Sequence, residues 1–265
     1  YTATKTALIT GASGGIGKAF AQVLARENHN LVVVARSEDK LNELKAELST
    51  HHSISITVIS QDLTKENATQ QIFDVLKQQN ISVDVLINNA GFGDYGSFAR
   101  SDWQKQENMI LLNVLALSHL TRLFLPGMLQ RGFGQILNVA STAAFQPGPM
   151  MSVYFASKAY VLSFSEAIAA ETEGTGVNVT VLCPGPTQSN FGKTANMDKI
   201  PGMESISNDN FPTALTVAEY GYVKLQQGKV VTVHGLLNKF LTFTPRIMPR
   251  QLIRTGIKKF LSSED

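Results

Sequence analysis

Runs of four to six residues dominated by aliphatic and β-branched side chains recur along the chain, and the segments between them carry apolar residues at helical spacing. The runs lie at residues 6–10, 31–35, 54–59, 83–87, 136–140, 177–182 and 230–233. The run at 31–35 is continuous and β-branched with no polar alternation, which is the pattern of a parallel strand covered on both faces. The intervening segments read as helices: 18–26, one capped by Ser37 with Leu41, Leu44 and Leu48 on one face, 66–79, and a long one over 102–130. Strand and helix alternate in units of roughly 30 residues, which predicts an α/β fold: a doubly wound parallel sheet with right-handed crossovers and helices on both faces. No linker or internal repeat interrupts the pattern, so residues 1–265 are expected to form a single domain.

With 43% hydrophobic and 17% charged residues, the composition is that of a globular protein and not of a disordered one. The net charge of +2 gives no global case for nucleic acid, but it is unevenly spread. Residues 234–260 hold six bases (Lys239, Arg246, Arg250, Arg254, Lys258, Lys259) and no acid, which leaves 17 bases against 21 acids elsewhere. The single cysteine, Cys183, excludes an internal disulfide and a thiolate metal cluster and fits a reducing, cytoplasmic setting. It reads as a buried thiol at a strand end, and no metal site is expected. No basic-then-apolar leader opens the chain, and since it starts at Tyr1 and not at Met the reading allows for residues upstream. The most apolar window, 109–129, contains Asn113, His119 and Arg122 and reads as a buried helix, not as a membrane span.

Where the first run ends, Gly11-Ala12-Ser13-Gly14-Gly15-Ile16-Gly17 separates it from a helix. Strand, glycine turn and helix aim backbone N–H groups and a helix N-terminus at a phosphate, and the glycines allow close approach. The spacing is Gly-x-x-x-Gly-x-Gly and not the commoner dinucleotide fingerprint, so alone the turn is also compatible with binding nothing. In a dinucleotide site the residue after the second strand selects the cofactor: an acid holds the ribose 2′-hydroxyl of NAD, a base the 2′-phosphate of NADP. Here it is Arg36, whose plain reading is a solvated residue ahead of a helix. After the fourth run, Asn88-Asn89-Ala90-Gly91 again offers small residues at a strand's C-terminal end, where ligands bind in such sheets. Tyr154 and Lys158 lie four apart, on one face if helical. A free tyrosine ionises near pH 10 and an adjacent cation lowers an acid's pKa by about 1 to 3 units, so the pair is expected to give a usable general acid or base. The plain alternative is a surface pair. Its company counts against that: Ser141 follows the run over 136–140, and Asn113 lies upstream in the long helix.

Taken in order, Thr10 to Gly17, Asp62, Asn88 to Gly91, Asn113, Ser141, Tyr154 with Lys158, and Pro184-Gly185 resemble the short-chain dehydrogenase/reductases, over residues 6–189. The resemblance implies a Rossmann-type sheet, a nicotinamide cofactor and an Asn-Ser-Tyr-Lys catalytic set. It implies that Tyr154 donates a proton to a carbonyl oxygen as hydride arrives, while Ser141 holds that oxygen. Lys158 would lower the phenol's pKa and bind the nicotinamide ribose, and Asn113 would hold a water that restores the proton; the plain reading of Asn113 is a residue that satisfies a helix kink. On the same resemblance Gly11, Ser13, Gly15, Ile16 and Gly17 form the cofactor turn, Asp62 and Leu63 flank the adenine, and Asn89, Ala90 and Gly91 line the groove. Pro184 and Gly185 would border it, and Thr187 or Ser189 would bind the carboxamide. Members that use NADP often carry a second base where this chain has Gly14, so the expectation of NADP(H) over NAD(H) rests on Arg36. The implied activity interconverts a carbonyl and a secondary alcohol, and the implied assembly is a homodimer or homotetramer. The rival class is an NADP(H)-binding redox-sensing module with little or no turnover, against which the intact Ser141, Tyr154 and Lys158 count.

Residues 190–228 are expected to form a substrate lid, and Met150, Met151, Phe191, Met197, Met203 and Phe211 favour an apolar or acyl-type small-molecule substrate. Residues 234–265 extend past the last strand, as in members that resemble reductases of acyl or lipid-like carbonyls. From Pro249, the residues Leu252, Ile253, Ile257, Phe260 and Leu261 share one helical face, and Arg250, Arg254 and Lys258 another. Such a basic amphipathic helix suits peripheral contact with a membrane surface or an acidic partner, or packing on its own domain or a second subunit.

Overall fold

The computed structural model describes residues 4–197, 200 and 208–261, the side chains of Asn208 and Phe260 excepted. The seven apolar runs become the strands β1 (Thr6–Thr10), β2 (Asn30–Ala35), β3 (Ile56–Ser60), β4 (Val85–Asn88), β5 (Gly134–Val139), β6 (Val177–Cys183) and β7 (Val231–Val233). They lie in the order β3-β2-β1-β4-β5-β6-β7 and every pairing is parallel. The register sets Leu8 between Val32 and Leu86, all three buried, as in parallel strands covered on both faces. The direction of winding reverses between β1 and β4, and a crevice outside their C-terminal ends is where an open sheet of this kind binds its ligand.

Helices cover both faces. On one, α1 (Gly15–Arg26), α2 (Glu38–His51) and α8 (Ala214–Gln226) pack Phe20, Leu24, Leu41, Leu44, Val217 and Leu225 against Ile9, Val33 and Leu137. On the other, α3 (Ala68–Gln78), α5 (Leu117–Arg131) and α6 (Ser152–Glu171) lie over Leu8, Val32, Leu86 and Ile136. Ser37 stands at the N-terminus of α2 as expected, but its side chain makes no capping hydrogen bond.

The long helix expected over 102–130 is in three pieces. α4 (Trp103–Ile110) passes through one wide π turn, Leu111–Ala116, into α5. Such turns concentrate at functional sites, and this one carries the buried Asn113. By length and composition Trp103–Arg131 would suffice to cross a membrane, yet its Leu117, Leu120, Phe124 and Met128 are buried in the domain.

The 190–228 segment also divides. The short α7 (Phe191–Thr194) lies near the sheet's C-terminal end, whereas α8 belongs to the sheet-covering layer beside α1. After β7 come two helices, α9 (Leu236–Ile247), which the sequence reading did not mark, and α10 (Arg250–Leu261), the helix expected from Pro249. α10 packs Ile257 and Leu261 beside Met109, Met151 and Tyr154. Leu252, expected on that face, is exposed, and the Phe260 side chain lies outside the described residues.

Candidate active site

The turns after β1 and β4 are stitched together at the switch point. The Thr10 hydroxyl accepts hydrogen bonds from the Asn89 and Ala90 N–H groups, both at 3.0 Å, and the Asn89 side-chain amide donates to the Thr10 carbonyl at 3.0 Å. This brings Gly11 and Gly17 into such close quarters that a Cβ on Gly17 would stand 2.2 Å from the Gly11 carbonyl oxygen, and one on Gly11 2.8 Å from the Asn89 amide nitrogen. Gly11 and Gly15 also have φ of +68° and +53°. Ser13 and Ile16 are half-buried in the same turn, and Ser189 sits over it, its Cβ 3.5 Å from where a Gly15 Cβ would be. No side chain caps α1 and no acid occupies its first turn, so its N-terminal N–H groups face the crevice with no anionic competitor.

Arg36 is exposed at the end of β2, beside Ser60, whose hydroxyl donates to its carbonyl. Burial pushes the Asp62 carboxyl up, but the Thr64 N–H and hydroxyl at 3.0 and 2.8 Å, with Arg36 and Lys65, hold it below its ordinary value. Leu63 is buried next to it. The structure therefore groups Arg36, Asp62 and Leu63 along one edge of the crevice. At the other edge Pro184 accepts from the Thr142 N–H, Gly185 lies against Asn238 of α9, and the Thr187 hydroxyl donates to the Gly185 carbonyl at 3.0 Å.

α6 sets Tyr154 and Lys158 one turn apart, both buried, with the Lys158 ammonium 5.8 Å from the Tyr154 ring centre. Ser141, at the end of β5, hydrogen-bonds the phenol. The expected depression of the phenol's pKa is not what the structure has. Burial pushes Tyr154 up to about 12, and the Ser141 contact only moderates this. The Lys158 Nζ donates to the Val139 carbonyl at 2.9 Å, and its own burial lowers its pKa to about 8. Cys183 is buried beside it, its thiol pushed up to about 12.

Asn113 is more than the filler of a helix irregularity. Its amide donates to the Phe92 carbonyl and the Ser157 hydroxyl, both at 3.0 Å, and its oxygen accepts from the Phe92 N–H at 3.1 Å. It thus clamps the loop after β4 onto α6. Gly91 fits between Asn113 and Lys158: a Cβ there would lie 2.9 Å from the Asn113 oxygen and 3.4 Å from the ammonium.

The other side of Tyr154 is apolar. Met109, Met151, Phe155, Phe191, Met197, Ile257 and Leu261 belong to one cluster with it, and the Phe191 ring centre is 5.4 Å from that of Tyr154. Of the residues expected to make the substrate region apolar, Met151, Phe191 and Met197 are there, Met150 and Phe211 lie outside the cluster, and Met203 falls outside the described residues. The sequence reading missed Gly93, where a Cβ would lie 3.2 Å from the Tyr154 ring, and Asp94. Asp94 accepts from Lys105, Gln106 and Asn196 at 2.6, 2.9 and 2.8 Å, tying the loop after β4 to the segment after α7. A Gly-x-Gly following the Asn-Asn-Ala-Gly turn, with an acid next, was the available signal.

The short chain dehydrogenase family model matches residues 5–200. A ketoacyl reductase, HetN, of Nostoc sp. is 40% identical over 244 residues, covering 90% of this chain and 82% of that protein. A very-long-chain 3-oxoacyl-CoA reductase of Phaeosphaeria nodorum is 34% identical, covering 90% and 67%. Among solved structures, a short-chain dehydrogenase from Sphingobium yanoikuyae in complex with NADPH superposes with a TM-score of 0.80 at 28% identity, over 98% of this chain and 99% of that one.

Proposed function

The chain belongs to the short-chain dehydrogenase family, oxidoreductases acting on CH–OH groups, and on that premise we propose that it is an NADPH-preferring reductase of apolar or acyl-type carbonyls. The observation that carries this reading is the meeting of Ser141, Tyr154 and Lys158 with an apolar cluster at the end of the sheet where the glycine turn lies.

The crevice fits a dinucleotide. Side chains on Gly11 or Gly17 would fill the cradle, and the α1 N-terminus offers uncapped N–H groups for a pyrophosphate. Gly11, Ser13, Gly15, Ile16 and Gly17 would hold that pyrophosphate, Asp62 and Leu63 the adenine, and Asn89, Ala90, Gly91, Pro184, Gly185, Thr187 and Ser189 the nicotinamide half. Arg36 favours NADPH: it is the group after β2 able to meet a 2′-phosphate. When bound, the cofactor supplies the hydride.

The protein's own residues then manage the proton. At neutral pH a phenol with a pKa of about 12 is protonated, which is the form a donor to the substrate oxygen needs, and Ser141 steadies that oxygen with its hydroxyl. Lys158, with a pKa of about 8, is charged for the most part at pH 7 and supports the build-up of negative charge on the phenol once the proton has left. Both N–H groups of the Asn113 amide are engaged, but its oxygen retains one acceptor site, which suits the water that restores the proton. The Met and Phe wall accommodates the apolar part of the substrate, with Phe191 to Met197 as the lid. Trp103, Ile110, Leu115 and Tyr160, exposed on α4 to α6, are the face on which we expect a homo-oligomer to form.

The test is oxidation of NADPH and NADH with a panel of ketones, aldehydes and 3-oxoacyl thioesters, in wild type and Tyr154→Phe. NADPH-preferring turnover that collapses in the variant supports the reading. Tight cofactor binding without turnover across the panel overturns it in favour of a sensor.

A further inference from the structure

α9 is an amphipathic helix turned inside out. Its residues Asn238, Thr242 and Pro245, at spacings of four and three, face the domain: Thr242 is buried, Asn238 packs on Gly185 and donates to the His234 carbonyl at 2.8 Å, and Pro245 lines a cavity of about 230 Å³ with Phe145, Pro147, Arg250 and Ile253. Leu236, Phe240, Phe243 and Ile247 repeat the same spacings on the opposite side, and all four are at least half exposed, Leu236 at 84%. Leu237, beside Leu236 on the same helix, is exposed as well. A surface helix ordinarily buries its apolar stripe and wets its polar one. Here Asn238, Thr242 and Pro245 turn inward and the apolar stripe is left bare, and an apolar patch of this kind marks a surface that is covered in use.

The charge around the patch says what covers it. Lys239 and Arg246 flank the stripe on α9, and Arg250, Arg254, Lys258 and Lys259 follow on α10; all six are exposed. Among the described residues none of them is in an ion pair, and no acid lies between His234 and Phe260, although Glu264 and Asp265 follow. A second copy seated on this face would bring the same six cations against these six. An anionic bilayer answers both features at once, taking the apolar stripe into its interfacial region while its headgroups meet the bases.

We propose that the outer face of α9, with the cations of α9 and α10, docks the protein peripherally on an anionic lipid surface. The docking helix runs directly into α10, whose Ile257 and Leu261 pack in the cluster around Tyr154. The lipid-facing unit and the wall of the active site are therefore continuous in the chain. The docking itself does not depend on the proposed activity.

The whole protein is sedimented with phosphatidylcholine vesicles, with and without phosphatidylserine, at low and high salt, and its mass in solution is measured by analytical ultracentrifugation. Binding is expected with phosphatidylserine, falling about tenfold without it or at high salt. The triple variant Leu236→Gln/Phe240→Gln/Ile247→Gln, whose side chains point away from the domain, is expected to lose binding about tenfold while keeping its thermal midpoint. Lys239→Gln/Arg246→Gln weakens binding to anionic vesicles and leaves any residual binding to neutral ones unchanged. Val223→Gln, at an exposed apolar position of α8, serves as control and binds as wild type. Wild type that ignores phosphatidylserine vesicles, or a triple variant that binds them as well as wild type, overturns the proposal. So does an oligomer that the triple variant alone dissociates, which would assign the face to a second copy.

Discussion

The cleft at the end of the sheet and the outer face of α9 both reverse the ordinary sorting of side chains, in opposite directions. At the cleft, Asn113, Lys158 and Tyr154 are 1%, 5% and 8% exposed; on α9, Phe240 and Ile247 are 65% and 69% exposed. A polar group taken from water must find partners within the chain, and these do: Asn113 through Phe92 and Ser157, Lys158 through the Val139 carbonyl. The apolar face of α9 has no such internal remedy and finds its partner outside the chain. The two reversals therefore carry different costs. The cleft's cost is borne in folding stability, whereas the α9 face leaves the fold indifferent and shows only in what the surface meets.

The largest expected effect separates chemistry from folding at the cleft. Tyr154→Phe should lower kcat by about 10²- to 10⁴-fold, the usual contribution of a positioned general acid, with cofactor affinity nearly unchanged. Its thermal midpoint should not fall, because the ring's packing against Phe191 is kept and a buried hydroxyl is removed. A matching loss of stability would show that the phenol is structural, and the contrast with α9 would fail.

Lys158 gives the next effect, through pH. Its pKa is about 8 folded against 10.5 unfolded, so below pH 8 the charge is buried at full cost. Between pH 8 and 10.5 the folded protein has released a proton that the unfolded chain still holds, and stability rises with pH, by on the order of 3 kcal/mol. Tyr154 acts the other way: with a pKa of about 12 folded against 10.0, its contribution declines from pH 10 to 12. Urea midpoints across pH 7 to 10 should show the rise in wild type and its loss in Lys158→Met. A wild type without that rise would mean that the ammonium is better solvated than its burial implies.

The same contrast explains what the sequence could and could not tell. β2 was legible because burial on both faces leaves Leu31 to Val34 without a polar residue, and the candidate site was legible because Asn113, Ser141, Tyr154 and Lys158 follow an order that resembles a known family. The π turn at Leu111–Ala116 was not, because its apolar residues suit an ordinary α-helix equally well. Nor was the direction of the Lys158 ammonium, which depends on a carbonyl 19 residues away. For α9, periodicity says that a helix has two faces but not which one turns inward. That is decided by Gly185, whose missing side chain admits Asn238.

Arg36 tests the cleft's rim, where the group is exposed and its effect correspondingly smaller. A hydrogen bond to a charged group contributes about 1.5 to 3 kcal/mol, so Arg36→Ala should raise the KM for NADPH about ten- to a hundredfold and spare NADH. A Cβ on Gly14 would meet nothing within 4 Å and its backbone is extended, so Gly14→Arg should fold normally and strengthen the NADPH preference. Equal effects on both cofactors would remove Arg36 from the specificity determinants.

The smallest expected effect is on α9, and its smallness is the point. Phe240→Gln should change unfolding free energy by no more than about 0.5 kcal/mol, as for any surface position away from special features, whereas Phe20→Ala in the core should cost about 3 to 5 kcal/mol. Both are aromatic residues on helices, and chemical denaturation of the two variants beside wild type isolates what differs: Phe20 is fully buried under the sheet and Phe240 is bare. If Phe240→Gln instead destabilised by a kcal/mol or more in the isolated protein, the ring would have a partner within the protein or in a second copy. The apolar stripe would then be core displaced to the surface and not a face kept for lipid.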